Sequence, residues 1–430
     1  MALLLRNARL IDPQVGLDEV ADVLVRDGKI VEIGHDLVME KGVERDLSGK
    51  ILMPGFVDMH VHLRDPGFEY KEDIASGTRA AAHGGFTAIC PMPNTNPVID
   101  TADGVEYEKK TADEVGKCRV IVCGACTQGQ KGETLAEMGD MHAHGAVAFS
   151  DDGHGIQDSG MMRMVMEYAS QFDAPILLHC QDNGIVGNGQ INEGVVSTRL
   201  GLAGWPAEGE EVEIARDISL SRLTGCPIHI QHISTARGME MVREAKAEGL
   251  PVTCEVTPHH MFLTEEAITS DYPTSCKVNP PLRTAEDAQA LIDAAVDGTA
   301  DVIATDHAPH AAWEKDREFE LAPFGMIGLE TSIGLVHTHL VDPGIIDYGR
   351  MVEMMAVTPR QILRQEPVKL EAGSTADFTI IDPDLEWTVN ADEFLSKATN
   401  SPFIGEKLKG KATDVYVGGY ATMEEGTIVE

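Results

Sequence analysis

Basic residues are scarce in this sequence. Its 430 residues include 34 Lys and Arg against 70 Asp and Glu, a formal charge of -36. A chain this acidic repels phosphate backbones and anionic bilayers, which excludes nucleic acid and membrane as partners. The excess is read as an acidic, solvated surface. Long apolar runs are also missing, and no stretch approaches the ~18 consecutive apolar residues a membrane span needs. The start, Met1 to Arg6, has too short an apolar run and the wrong flanks for a signal peptide, so a cytoplasmic location is expected. There are eight Cys, and Cys90, Cys123, Cys180, Cys226 and Cys254 lie in apolar, strand-like runs that suit reduced, buried thiols. Cys123 and Cys126 have CxxC spacing, but no second pair stands at zinc-ribbon distance. Internal repeats and low-complexity linkers are absent.

What is present is a regular alternation. Hydrophobic residues make up 43% of the chain, enough for a large core. The length suits a (β/α)8 barrel of ~250 residues or more plus one smaller domain. The first ~50 residues read as short strands separated by turn signals, with Asp27-Gly28 marking a tight hairpin. The far C-terminus looks alike at Ala376–Asp382 and Ala412–Tyr420. Together these ends predict one small β-sandwich domain formed from residues 1–53 and 370–430. Residues 54–369 alternate strand and helix signals, as parallel βα units do. The eight strand candidates are Phe56–His62, Phe86–Met92, Val120–Cys123, Ala146–Phe149, Pro175–His179, Pro227–His232, Val252–Val256 and Val302–Thr305. Helical runs such as Glu72–His83, Met161–Gln171, Glu208–Leu223, Ala236–Glu248 and Ala285–Val296 lie between them. The fold class expected is therefore α/β, a TIM barrel with catalytic residues at the carboxyl ends of its strands.

Pro54-Gly-Phe-Val-Asp-Met-His-Val-His-Leu-Arg64 carries the first chemistry. Side chains on a strand alternate with period two, so His60 and His62 point the same way and can share a metal. A bare His-X-His is weak evidence, and the chain holds a second at His142 and His144. That pair precedes its strand, which puts it at the opposite face, and its residues are read as surface histidines. The other strand ends strengthen the first pair. The fourth unit ends in Phe149-Ser-Asp-Asp-Gly153, the fifth in His179, the sixth in His232 and the eighth in Asp306-His307. Imidazole nitrogen and carboxylate oxygen are suitable zinc ligands, and five strands bringing them to one rim is an improbable coincidence.

The pattern resembles the amidohydrolase superfamily over nearly the whole chain, and within it the type I dihydroorotases. Asp58-Met-His-Val-His-Leu-Arg-Asp-Pro-Gly67, Pro91-Met-Pro-Asn-Thr-Asn-Pro97, Val278-Asn-Pro-Pro-Leu-Arg283, Asp306-His-Ala-Pro-His310 and Ala322-Pro-Phe-Gly-Met326 are similar to that family's motifs, and Asn400-Ser-Pro-Phe-Ile-Gly405 to its C-terminal one. Hydantoinase-like members bridge two metals with a carboxylated Lys at the fourth strand, but no Lys occurs here between Lys131 and Lys246. An Asp is the available bridge. Alignment from His179 puts the family's bridging Asp on Asp152, with Asp151 as the rival. The resemblance implies zinc, one or two ions with two favoured, on His60, His62, Asp152, His179, His232 and Asp306, the last also acting as the catalytic acid–base. It places Arg64 and Asn94 on the substrate carboxylate, and Asn279, His310 and the Phe324-Gly325 backbone on the ring or carbamoyl group.

The residue types agree with that reading. A retained carboxylate suits the planar fork of Arg64, whose bland alternative is a salt bridge with Asp65. The bland alternative for Asn94 is a turn cap, and for Asn279 a loop former. His259, His260 and His307 are expected to support or pack rather than to ligate. The implied activity is closure of N-carbamoyl-L-aspartate to L-dihydroorotate with release of water. Allantoinase, dihydropyrimidinase and a catalytically silent scaffold of aspartate transcarbamoylase are the rivals. Self-association and association with aspartate transcarbamoylase follow from the family alone.

Overall fold

The computed structural model describes residues 2–430; Met1, where the reading of the N-terminus begins, lies outside the described residues. Strands appear at each of the eight expected runs, most of them shorter than the run itself. They are Phe56–Val61, Phe86–Pro91, Ala148–Phe149, Ile176–Leu178, Ile228–Ile230, Val252–Val256 and Val302–Ile303, with the third split into Arg119–Val120 and Cys123–Gly124. All pair in parallel, in two arcs. Only Ile121 and Val122 separate the arcs on one side, and a parallel bridge from Val61 to His307 joins them on the other. Parallel strands covered on both faces read as continuous apolar runs, and every residue of Phe56–Val61 and Phe86–Pro91 is buried. Val57, Met59, Cys90, Cys123, Ala148, Leu177 and Ala304 pack together as one inner cluster.

The helices between strands start and stop where local chemistry dictates. Ile74–His83 begins at Asp73, whose carboxylate accepts from the Ser76 amide. Ala285–Asp297 opens on a reciprocal Thr284–Asp287 box and closes on Gly298 at φ 87°. Each such cap stabilises its helix by about 1 kcal/mol. Glu208–Thr224 is unusual, because its buried residues include Glu210, Glu213 and Asp217. Glu210 accepts from the amides of Ser234 and Thr235, and Glu213 accepts from that of Gln181. These carboxylates hold the loops that follow two strand ends.

Both termini enter one nine-stranded sheet. Ala2–Asp12 pairs with Leu17–Arg26, which turns at Asp27-Gly28 into Lys29–Gly34. Asp27 and Gly28 have φ of 49° and 78°, the left-handed pair a two-residue hairpin turn requires. Ile51–Pro54 pairs antiparallel with Phe378–Thr388, and that strand with Lys407–Val417. Leu5, Leu10, Val23, Leu52, Phe378 and Tyr416 form a separate core beneath it. The span 370–430 is not wholly part of this sheet. Between Thr388 and Lys407 the chain leaves it and reaches the loops after the strands, where Asn400 accepts from the His310 amide and donates to the carbonyls of Ala308 and Gly325.

Candidate active site

His60 and His62 project from the same face of the first parallel strand toward Asp152 and Asp306. His60 Nε2 lies 3.5 Å from Asp152 Oδ1 and 3.5 Å from Asp306 Oδ1. His62 Nε2 lies 3.0 Å from Asp306 Oδ1 and 3.6 Å from Asp152 Oδ2. His179 Nδ1 is 3.5 Å from Asp152 Oδ1 and 2.9 Å from His232 Nε2. The donor atoms of His60, Asp152 and His232, and those of His60, His62 and Asp306, each fall within 4.8 Å of one another. Asp152 thus stands between two donor groups. His232 and Asp306 lie at strand ends with φ of 32° and 48°, a left-handed conformation uncommon for non-glycine residues.

Supporting partners settle which imidazole nitrogen faces the centre. His60 Nδ1 donates to Glu255 Oε1 at 2.5 Å, His62 Nδ1 to Asn94 Oδ1 at 3.0 Å, and His179 Nε2 to Gln181 Oε1 at 3.0 Å. The remaining nitrogens carry lone pairs, and these converge on the two aspartates. His60 Nε2 is buried without a hydrogen-bond partner. Lone pairs facing carboxylates at these distances repel unless cations lie between them, so the residues fit a site for one or two divalent ions with nitrogen and oxygen ligands. Burial opposes ionisation of Asp152 and Asp306; imidazoles in their protonated form, His60 foremost, hold both carboxyls below the usual range, and bound cations would supply that charge once the rings are neutral ligands. Glu255 is likewise held at about 2 against its burial by His60 and His229. Burial, with His179 and His60 nearby, pushes His232 down to about 3.

Asp151 faces elsewhere. Its carboxylate accepts from the amides of Cys126 and Thr127 at 2.8 and 3.1 Å and from the Thr127 hydroxyl, tying the third strand end to the fourth. Asp152 is the one that meets the histidines.

A cavity of about 310 Å³ opens above these groups, and every expected site residue except His60 lines it. Arg64 has φ 63° and, among the described residues, donates only to the Pro309 carbonyl, at 3.3 Å. Its neighbour Asp65 accepts instead from Tyr107 and the Ile74 amide, so the adjacent salt bridge does not form. Asn94 is committed to His62 and, through Nδ2, to Asp152 Oδ2 at 3.1 Å, which makes it an orienter of ligands as well as a lining residue. Asn279 donates to Gln181 Oε1 at 2.9 Å, while its Oδ1 has no partner among the described residues. His310 Nε2 donates to the Phe324 carbonyl at 2.8 Å. His260 is held by Thr257 and the Pro280 carbonyl, and His307 by Glu72 and the Gly328 amide. A larger cavity, about 660 Å³, lies beside Arg119, Arg360 and Asp377 away from these donors. Its Arg360 is spent on Gly55, Ala356 and Thr87. All eight cysteines are free and buried.

Glu255 and Gln181 escape a motif reading, and Asn400 falls in a motif that assigns it no role. Glu255 sits inside an apolar strand, where its only signal is a charge at an otherwise buried position. Gln181 is a polar residue in a loop, a composition that carries no signal, while the motif that contains Asn400 does not show which loops it ties together.

Among solved structures, the L-hydantoinase (dihydropyrimidinase) of Arthrobacter aurescens matches with a TM-score of 0.90 at 28% identity, covering 100% of this chain and 97% of that one. Fold and site together define a cyclic amidohydrolase. The family model described as Dihydro-orotase-like matches residues 49–238. A dihydroorotase of Pelotomaculum thermopropionicum is 49% identical over 428 residues, covering 100% of both chains. One of Geobacter metallireducens is 48% identical over 420 residues, covering 97% of this chain and 99% of its own. The chain belongs to the dihydroorotase family.

Proposed function

We propose that the protein catalyses the reversible closure of N-carbamoyl-L-aspartate to L-dihydroorotate and water in pyrimidine synthesis. The reading places zinc, two ions in preference to one, on His60, His62, Asp152, His179, His232 and Asp306. It places these ligands at the carboxyl ends of an eight-stranded barrel closed through Val61 and His307, beside a β-sandwich of both termini. The convergence of six buried ligand residues, with the outer nitrogens of His60, His62 and His179 already engaged, carries the reading. When bound, such ions polarise an amide carbonyl and make a water nucleophilic near neutral pH.

The chain's own residues do the rest. In the hydrolytic direction water adds to the ring amide carbonyl of dihydroorotate, the ring C–N bond breaks, and the freed nitrogen takes a proton. Asp306 accepts the proton from water and returns it to that nitrogen. Ring closure reverses each step. Arg64 and Asn94 take the carboxylate that survives the reaction; Asn279, His310 and the Phe324-Gly325 backbone take the ring and carbamoyl edge. The absence of any Lys between Lys131 and Lys246 favours this activity over the hydantoinase type, and the complete ligand set favours an enzyme over a silent scaffold. Self-association and binding to aspartate transcarbamoylase are proposed on the family resemblance, and gel filtration with and without the transcarbamoylase checks both.

Zinc analysis with turnover assays on dihydroorotate, dihydrouracil and allantoin tests the assignment. Dihydroorotate alone should be opened, by metal-containing protein only; full turnover without metal, or preference for another ring, would overturn it. Arg64 touches a group present in ground and transition states alike, so Arg64→Ala should raise KM more than it lowers kcat. Loss of a charge-assisted pair worth about 1.5–3 kcal/mol should cost about one to two decades in kcat/KM.

A further inference from the structure

Two lysines are buried beside the cavity, and neither makes an ion pair among the described residues. Lys277 is 2% exposed and Lys315 is 7% exposed. Lys277 Nζ donates to the carbonyls of Phe319, Glu320 and Ala322 at 2.7, 3.1 and 2.7 Å. Lys315 Nζ donates to those of Thr274, Pro323 and Lys277 at 3.0, 2.8 and 3.5 Å. Lys277 Nζ also lies 4.6 Å from the centre of the Phe324 ring, and its own carbonyl accepts from the Gly325 amide at 2.8 Å. Residues 316–331 contain no helix or strand, so their carbonyls need partners from elsewhere when buried. An apolar side chain would fill the same space and leave the carbonyls of Phe319, Glu320, Ala322 and Pro323 without these donors.

We infer that Lys277 and Lys315 are positioning residues for substrate binding, their ammonium groups holding the 274–279 and 315–325 segments so that Asn279, Phe324 and Gly325 form the cavity wall. The inference rests on the dihydroorotase reading, and goes beyond it in assigning the wall to two cations that never touch the substrate. Three acceptors around each nitrogen match the three donors of an ammonium, whereas a neutral amine has two. When protonated, the two ammonium groups, neither in an ion pair among the described residues, also add to the local positive field toward an anionic substrate.

Burial pushes Lys315 down to about 7, with Lys277 and Arg64 adding to the effect and Cys276 and Glu314 opposing it. Burial likewise pushes Lys277 down to about 8, opposed by Glu320. The cages are therefore complete below about pH 7 and lose donors as pH rises through 7 to 8.

The test compares the wild-type enzyme with Lys277→Met and Lys315→Met, measuring zinc content and then kcat and KM for dihydroorotate from pH 6 to 9. Each variant should keep its zinc and raise KM at least ~10-fold while kcat stays within ~3-fold, the pattern of lost substrate positioning. Wild-type KM should climb above pH 7, and that climb should flatten in Lys315→Met. A variant with wild-type KM and pH profile would overturn the proposal, as would one whose zinc and kcat fall together. If a Met variant does not fold, Lys277→Gln and Lys315→Gln, which keep two N–H donors, take its place; each should raise KM at least ~3-fold with zinc retained, and wild-type KM in a folded Gln variant would overturn the proposal. A wild-type protein with zinc but no turnover would overturn the reading and the inference together; normal turnover with unaffected variants would overturn the inference alone.

Discussion

His60-Val61-His62 and His142-Ala143-His144 share one spacing and have opposite fates. The first pair sits on and just past a strand, where residues two apart share a face, and its ring centres are 5.5 Å apart. The second sits in the last turn of the Met138–His144 helix, where residues two apart do not face each other. His142 bonds the Ala146 carbonyl and stacks on Phe172, 4.9 Å away. His144 bonds the Asp140 carbonyl and lies 3.6 Å from Glu106. Spacing acquires chemical meaning only from the element that carries it. A further difference is support: Glu255 and Asn94 engage the outer nitrogens of the first pair, whereas carbonyls local to the helix engage the second.

The sharpest break of this comparison is to remove each pair in turn. His60→Ala should lose bound metal and dihydroorotate turnover together, while His142→Ala and His144→Ala keep both within about twofold, as surface changes usually do. Metal loss in the second set would show that the helix pair ligates after all.

Asp151 and Asp152 repeat the contrast at adjacent positions. Asp152→Ala should remove metal. Asp151→Ala should instead keep metal and lower the stability to denaturant by about 1–3 kcal/mol, because two buried amides lose their acceptor. Metal analysis beside a urea titration reads both, and the reverse order would relocate the bridge.

Support can be weakened without removing a ligand. Glu255→Gln keeps the shape but not the charge that holds His60, so zinc affinity should fall about 10–100-fold, the usual cost of losing such a partner. An unchanged affinity in a competition titration would mean that strand geometry alone makes the first pair a ligand set.

The smallest effect separates buried rim from exposed surface. With a charge of -36, self-repulsion opposes the folded state, and salt screens it over ~10 Å at 0.1 M. Melting temperature should rise with added KCl while zinc content stays constant. A flat melting curve up to 1 M KCl would show that surface repulsion is already balanced by exposed ion pairs such as Arg9–Asp18 and Arg163–Glu167.

Local pattern by itself determined the alternation of strands and helices, the shared face of His60 and His62, and the Asp27-Gly28 turn. These depend on residues a few positions apart, where period and turn chemistry act directly. Family motifs added Asp152 over Asp151, a choice that residue type leaves open. Only the tertiary structure decided what the polar residues outside the ligand set do. Glu255 meets a histidine 195 positions away, Asn400 clamps loops more than 70 positions away, and Lys277 and Lys315 enclose carbonyls of an irregular loop. Such partners are set by where folded strands end and loops cross, and a buried polar group is satisfied by whichever neighbour arrives, however distant in the chain.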